Sequence, residues 1–150
     1  MKKLVSTTLL LAIAMLQGCV HEAEILVHDE TGAPVSNALI VGTEQQMLRS
    51  NRQEILRTDC NGRAKLALRG LVYIVAGREP YYPVQKSYRS ATNLALVLRS
   101  EMMTGDPIAA LVEYQQYKSG QMIYERESSS LWNDWNQYLS WLEEQGYFPR

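Results

Sequence analysis

Two histidines, His21 and His28, are the only side chains of this 150-residue sequence that titrate ordinarily near neutral pH, so the search for chemistry starts with them. His28 is followed by Asp29 and Glu30, three metal-ligating types in a row. In an extended segment successive side chains alternate between faces, so the three do not converge on one ion, and they read as a solvated strand end. Asp59 and Asn61 beside Gly62 share the opening of a calcium loop, but the acidic continuation and the bidentate Glu are missing. Asx-turn chemistry accounts for them. Ser128-Ser129-Ser130 lacks the Gly-x-Ser-x-Gly elbow and no His follows it, which argues against a Ser-His-Asp hydrolase. The sequence has no Gly-rich phosphate loop. Glu143-Glu144 and the Glu125, Glu127 pair read as solvated charge on polar faces. The expectation is a chain with no catalytic residue, no cofactor and no metal ligand.

The residue with a definite chemical task is Cys19. Met1-Lys2-Lys3 is a short basic segment, and residues 4–16 are apolar except for Ser6, Thr7 and Thr8. At about thirteen residues the stretch is too short to span a bilayer, which takes roughly 20, and it reads as a secretion signal. It ends in Leu16-Gln17-Gly18-Cys19, which resembles the lipobox of bacterial lipoproteins. The thiol would be the nucleophile that takes a diacylglycerol thioether, and the small Gly18 would admit the signal peptidase that cuts between Gly18 and Cys19. The resemblance implies a triacylated N-terminus. One myristoyl chain gives only marginal membrane binding, so several chains would hold essentially permanently. Val20 stands where enteric inner-membrane lipoproteins carry Asp, so the resemblance implies the periplasmic face of the outer membrane.

The elements that must position anything further begin at once. Residues 23–29 are rich in aliphatic and β-branched side chains and predict a strand. Glu30-Thr31-Gly32-Ala33-Pro34 predicts a turn, and residues 35–41 a second strand. Residues 47–53 are polar and predict a loop. Residues 54–58 and 63–69 flank Asp59-Cys60-Asn61-Gly62, a hairpin signal built on Asn-Gly. In the second of these, Ala64, Leu66 and Leu68 alternate with Arg63, Lys65 and Arg69, as a sheet with one wet face requires. Residues 71–76 and 93–99 predict two more strands, with the Pro80-Tyr81-Tyr82-Pro83 segment between them. Six or seven short strands in residues 23–99 predict a mainly β, Greek-key sandwich.

From Ser100 the pattern changes. Asp106-Pro107 predicts a helix start and Gly120 its stop, with Ile108, Leu111, Val112 and Gln115 on one face. Ser130 predicts the cap of a second helix over residues 131–145, ended by Gly146. Leu131, Trp135, Tyr138, Leu139 and Leu142 form its apolar stripe.

Residues 23–99 resemble the carboxypeptidase regulatory-like family. The likeness lies in the run from Val27 to Ile40, with its strand, Gly-x-Pro-Val and Ala among aliphatics, in Thr58-Asp59-Cys60-Asn61-Gly62-Arg63-Ala64, and in the Tyr81-Tyr82-Pro83 region. It implies a transthyretin-like sandwich of about seven strands and no particular activity, because this domain accompanies many functions without performing their chemistry. Two departures stand out: residues 42–54 are polar where a strand is expected, and the two C-terminal helices lie outside the family pattern. The expected organisation is a signal over 1–18, a lipidated start over 19–22, the sandwich over 23–99 and a helical extension over 100–150.

All nine Tyr, three Trp and the one Phe lie at or after Tyr73. Trp135 and its neighbours would staple the helix to the sandwich. Trp132 and Trp141, off the main stripe, would suit a docking surface, and Tyr81 with Tyr82 could stack on sugar rings. A signal cut would take two of the 15 basic residues and leave the 16 acidic ones in excess, which argues against a nucleic-acid partner. The expected partners are a membrane, through the lipid, and another envelope protein, for which the domain would be a non-enzymatic binding or scaffold module; the rival reading is a glycan-binding accessory or a subunit of an envelope enzyme.

Overall fold

The computed structural model describes residues 22–45, 52–68, 70–89, 93–102 and 130–148. Seven strands follow in order: β1 (Ala23–Asp29), β2 (Leu39–Gln45), β3 (Arg52–Arg57), β4 (Arg63–Leu66), β5 (Leu71–Arg78), β6 (Tyr81–Tyr88) and β7 (Leu94–Leu98). One helix, α1 (Ser130–Glu144), completes the described elements. The strands form a three-stranded sheet, β4-β1-β7, and a four-stranded sheet, β3-β2-β5-β6. Only the β1–β7 pair is parallel; the other ladders are antiparallel. The chain crosses between sheets after β1, β3, β4 and β6, which is Greek-key wiring. The protein is a mainly β sandwich of two sheets. The signal segment, Gly18, Cys19, His21, the helix expected from Asp106 and the Glu125, Ser128 and Ser129 positions lie outside the described residues.

Alternation builds the interior. Ala23, Ile25 and Val27 of β1, Leu66 of β4, Leu96 and Leu98 of β7, Ile40 of β2 and Val72, Ile74 and Ala76 of β5 meet between the sheets. Arg63 and Lys65 of β4 face water, as their alternation predicts.

Several boundaries differ from the sequence reading, and the strand expected over 63–69 ends already at Leu66. The strand expected over 35–41 starts instead at Leu39, because the chain changes sheet at 35–38. Val35 N–H donates to Val27 O of β1 at 2.9 Å, while Thr58 N–H donates to Ala38 O at the end of β3, also at 2.9 Å. One straight strand cannot serve both sheets, and Asn37, at a φ of 57°, makes the bend. Of the stretch expected as a loop over 47–53, residues 47–51 lie outside the described residues and Arg52 with Gln53 instead opens β3, paired with β2, which runs on to Gln45. Thr43 pairs with Gln53 and Glu44 with Arg52, and Gln53 Nε2 donates to Thr43 Oγ1 at 3.3 Å. Finally, the Tyr81-Tyr82-Pro83 segment, read as a connection, opens β6. Proline is tolerated there because β6 is an edge strand.

Thr58 locks the corner. It is the one buried polar residue in the described core, and its Oγ1 accepts from Ala38 N at 2.8 Å while donating to Val35 O at 2.7 Å. Thr58→Val keeps the shape and leaves both backbone groups unpaired. It is expected to destabilise by about 1–3 kcal/mol, read as a lower midpoint in urea unfolding at unchanged slope; a midpoint equal to wild type would mean water satisfies the corner.

Candidate functional site

Helix α1 carries its apolar stripe to the outer face of the four-stranded sheet. Trp135, Tyr138, Leu139 and Leu142 are buried there against Leu39 and Val41 of β2 and Val75 of β5, with Phe148 closing the end. The helix stops in a Schellman arrangement: Gly146 N–H donates to Glu143 O and Tyr147 N–H to Leu142 O, both at 3.0 Å, with Gly146 at a φ of 73°. That turn swings Tyr147 and Phe148 back onto the sheet. Asp134 near the start of α1 pairs with Arg57 at the end of β3.

The seat of the helix is Gly77. A Cβ at that position would fall inside the van der Waals envelope of the Tyr138 ring. The ring therefore lies flat on bare β5 backbone, and its hydroxyl reaches over to donate to Tyr81 O at 2.8 Å. Burial, reinforced by Tyr147 and Tyr82 nearby, pushes the Tyr138 hydroxyl far above the ordinary tyrosine value of 10.0.

Around this ring an aromatic rim gathers. Trp141 stacks on Tyr138 with centroids 5.8 Å apart and tilts against Tyr82 at 5.7 Å, and Tyr82 stacks on Tyr147 at 5.9 Å. Helical phase puts Trp141 outside the buried stripe, yet it is half-buried and packs with Trp132 against the same cluster. Both rings belong to the edge of the seam. Tyr81 and Tyr82 do not act together, because consecutive strand residues face opposite ways: Tyr81 packs into the sandwich and Tyr82 against the helix.

Beside Tyr82 a cleft of about 160 Å³ opens, lined by Tyr82, Pro83, Val84, Val97, Arg99, Glu101 and Tyr147. Its walls are apolar, with one cation and one carboxylate. An isolated backbone bridge between Tyr82 and Arg99 closes one side. Arg99, the last residue of the strand expected over 93–99, and Glu101 lie just past β7, and no motif in the sequence singles either out. The cleft can hold a small, partly apolar group.

The other sequence candidates have structural partners. Asp29 Oδ1 accepts from Thr31 N at 2.8 Å, Thr31 Oγ1 at 2.6 Å and Ala33 N at 3.0 Å. The Thr31 hydroxyl, helped by these amides, holds the Asp29 carboxyl below its ordinary range against the opposing desolvation. Asp59 Oδ1 accepts from Asn61 N at 2.8 Å and Arg63 N at 2.9 Å. Both acids are turn residues, and among the described residues no three His, Cys, Asp or Glu side chains are placed to hold a metal. His28 is half-buried, with Nδ1 donating to Asp29 O at 3.0 Å. Cys60 is an exposed free thiol.

The fold and site thus define a sandwich with a helix docked on one sheet and an aromatic cleft at their edge. No family model and no curated protein matches the chain. Among solved structures it is similar to a 3-chlorocatechol 1,2-dioxygenase from Rhodococcus opacus 1CP, at 12% identity and a TM-score of 0.42, over 52% of this chain and 58% of that one. The chain therefore spans less than two thirds of that enzyme, and a likeness of this size carries no conclusion about activity.

Two predictions follow from the seam. Trp135→Ala removes its largest fully buried side chain and is expected to cost about 3–5 kcal/mol, and Gly77→Ala to unseat the helix, both seen as a lowered Tm, the second also as a red shift of tryptophan emission. A wild-type Tm for either would mean the helix is not packed here. In the second, the folded state holds the Tyr138 proton more tightly than the unfolded chain. Its stabilisation is complete below the unfolded value of 10.0 and is lost as pH rises beyond it. Urea midpoints should fall above pH 10 in wild type and fall less in Tyr138→Phe; identical alkaline slopes would remove Tyr138 as the cause.

Proposed function

We propose that this chain is a lipid-anchored lipoprotein of the bacterial envelope, held by Cys19 on the periplasmic face of the outer membrane, and that its domain is a non-enzymatic binding or scaffold module for another envelope protein. The observation that supports this reading most is the aromatic rim. Tyr82, Trp141 and Tyr147 stand half-buried at the edge of the helix seam beside the Arg99 and Glu101 cleft. Aromatic rings with a guanidinium nearby are the composition of interface hot spots. The carboxylates of Asp29 and Asp59 are taken up by backbone amides within their turns.

A glycan partner is the second reading, favoured by the Tyr82 and Tyr147 rings lining a cleft that also holds Arg99 and Glu101. Tyr81 contributes no stacking surface in that case, since it packs inward.

Cys19→Ser is expected to abolish incorporation of labelled palmitate and to leave an unprocessed precursor; incorporation at the wild-type level would overturn the anchor. For the module, crosslinking in intact cells followed by pulldown should recover an envelope protein with wild type and lose it with Arg99→Glu, while the Tm of the variant stays near wild type. Quenching of tryptophan emission by cell-wall fragments, with no protein captured, would transfer the site to the glycan reading.

A further inference from the structure

The start of β1 is the feature that says more than the proposed function uses. Ala23 opens the strand, so residues 20–22 alone separate it from Cys19. Three extended residues reach about 10 Å, and the headgroup layer of one leaflet is itself about 5–7 Å thick. A tether that short keeps the start of β1 close to the bilayer but leaves the domain free to tip about it. The end of the sandwich that holds this start therefore rests on the headgroups only if its own side chains engage them. The strand registers define that end: Ala23 pairs with Leu66, Ile25 with Leu94, Glu44 with Arg52, and Val72 with Tyr88.

Among the described residues the charges at this end are of two kinds. The acids are engaged or half-buried: Glu24 pairs with Arg63 at 3.2 Å, Glu22 approaches Lys65 at 4.0 Å, and Glu44 and Glu54 are half-buried along the β2–β3 ladder. The bases are exposed: Arg52 at the start of β3, Lys86 near the end of β6, held at the edge by donating to Ala95 O at 2.6 Å, and Arg89 just beyond it. Guanidinium groups bind phosphate oxygens through paired hydrogen bonds. At the opposite end lie Cys60, the Asp29 and Asp59 turns, and Tyr82 with the cleft.

Building on the lipid-anchor reading, we propose that the end of the sandwich holding the start of β1 is a bilayer-contact surface, on which Arg52 and Arg89 engage anionic phospholipid headgroups. The cleft and the Cys60 turn are then held away from the membrane by the length of the sandwich, about 20 Å at roughly 3.3 Å per strand residue.

Energy transfer to a headgroup-linked acceptor tests this, using the full lipidated protein in vesicles of phosphatidylglycerol with phosphatidylcholine. A donor dye on Cys60 reports the far end; the same dye on Asn93→Cys, in a Cys60→Ser background, reports the near end, where Asn93 is exposed just before β7. Transfer several-fold stronger from position 93 than from position 60 is expected. The difference should shrink to near zero in Arg52→Glu/Arg89→Glu, and at about 1 M salt, where screening acts within about 3 Å, while the Tm of the variant is unchanged. Equal transfer from the two positions overturns the proposal. So does a difference that survives charge reversal and salt, which would assign the orientation to the tether alone. Palmitate incorporation and flotation with pure phosphatidylcholine vesicles are read separately. If both are lost, the anchor reading fails; if both are kept while the transfer is equal, only the headgroup contact fails.

Discussion

An apolar patch on the wrong side of a sheet governs this structure. Leu39, Val41, Val75 and Ile55 point away from the sandwich interior, and exposed together they would be an extended hydrophobic surface. The helix is the cover, a third layer on a two-layer fold. Its cost lies in Tyr138, whose hydroxyl would be a buried unpaired group without the Tyr81 carbonyl, and whose ring fits only because residue 77 has no side chain. Sheet pattern, glycine position and helix stripe are therefore one constraint. The helix that lies outside the expected family pattern is part of what keeps the sandwich closed to water.

Much of the fold was legible because alternation survives in single strands. The run expected over 63–69 shows it and emerges as a strand with the expected wet and dry faces as far as Leu66, and residues 23–29, read from their aliphatic and β-branched content, form β1 with the bounds expected. The stripe on α1 was legible for the same reason at helical period, down to the Ser130 start and the Gly146 stop. What hid β6 was Pro83 together with Gln85-Lys86-Ser87, residues an edge strand tolerates and a central one does not. What hid the true ends of β2 and β3 was that polar residues stand opposite one another in the ladder, Thr43 across from Gln53 and Glu44 across from Arg52, which hydrophobic pattern cannot register.

The site was less legible, since it depends on which elements meet. Helical phase assigns Trp141 a direction but not a reach; the indole is long enough to lie across Tyr138 and touch Tyr82 from outside the stripe. Tyr81 and Tyr82 looked like a pair in a loop and become opposites in a strand, a division that follows from reading the segment as β. Arg99 and Glu101 reach the cleft only through the Tyr82–Arg99 bridge between distant parts of the chain. Asp59 was the easier case, because an Asx turn is local and its sequence position already specifies the amides its carboxylate accepts from; Asp29, read as a solvated strand end, takes up the Thr31 and Ala33 amides in the same way.

The edges of the four-stranded sheet bear on how such a module could recognise a protein. Strand addition needs an open, regular edge with its amides and carbonyls unused. At β6 that edge is spoiled in several ways. Pro83 has no N–H, the ladder to β5 is irregular between Ala76 and Arg78, Tyr82 N–H is spent on Arg99 O at 2.8 Å, and the Lys86 amine reaches across to the Ala95 carbonyl of β7. An incoming strand would lose hydrogen bonds at successive positions and meet a charged side chain. Recognition along this side must therefore run through side chains rather than backbone. The side chains gathered there are Tyr82, Tyr147 and Arg99, whose area and hydrogen-bonding capacity do not depend on a continuous ladder.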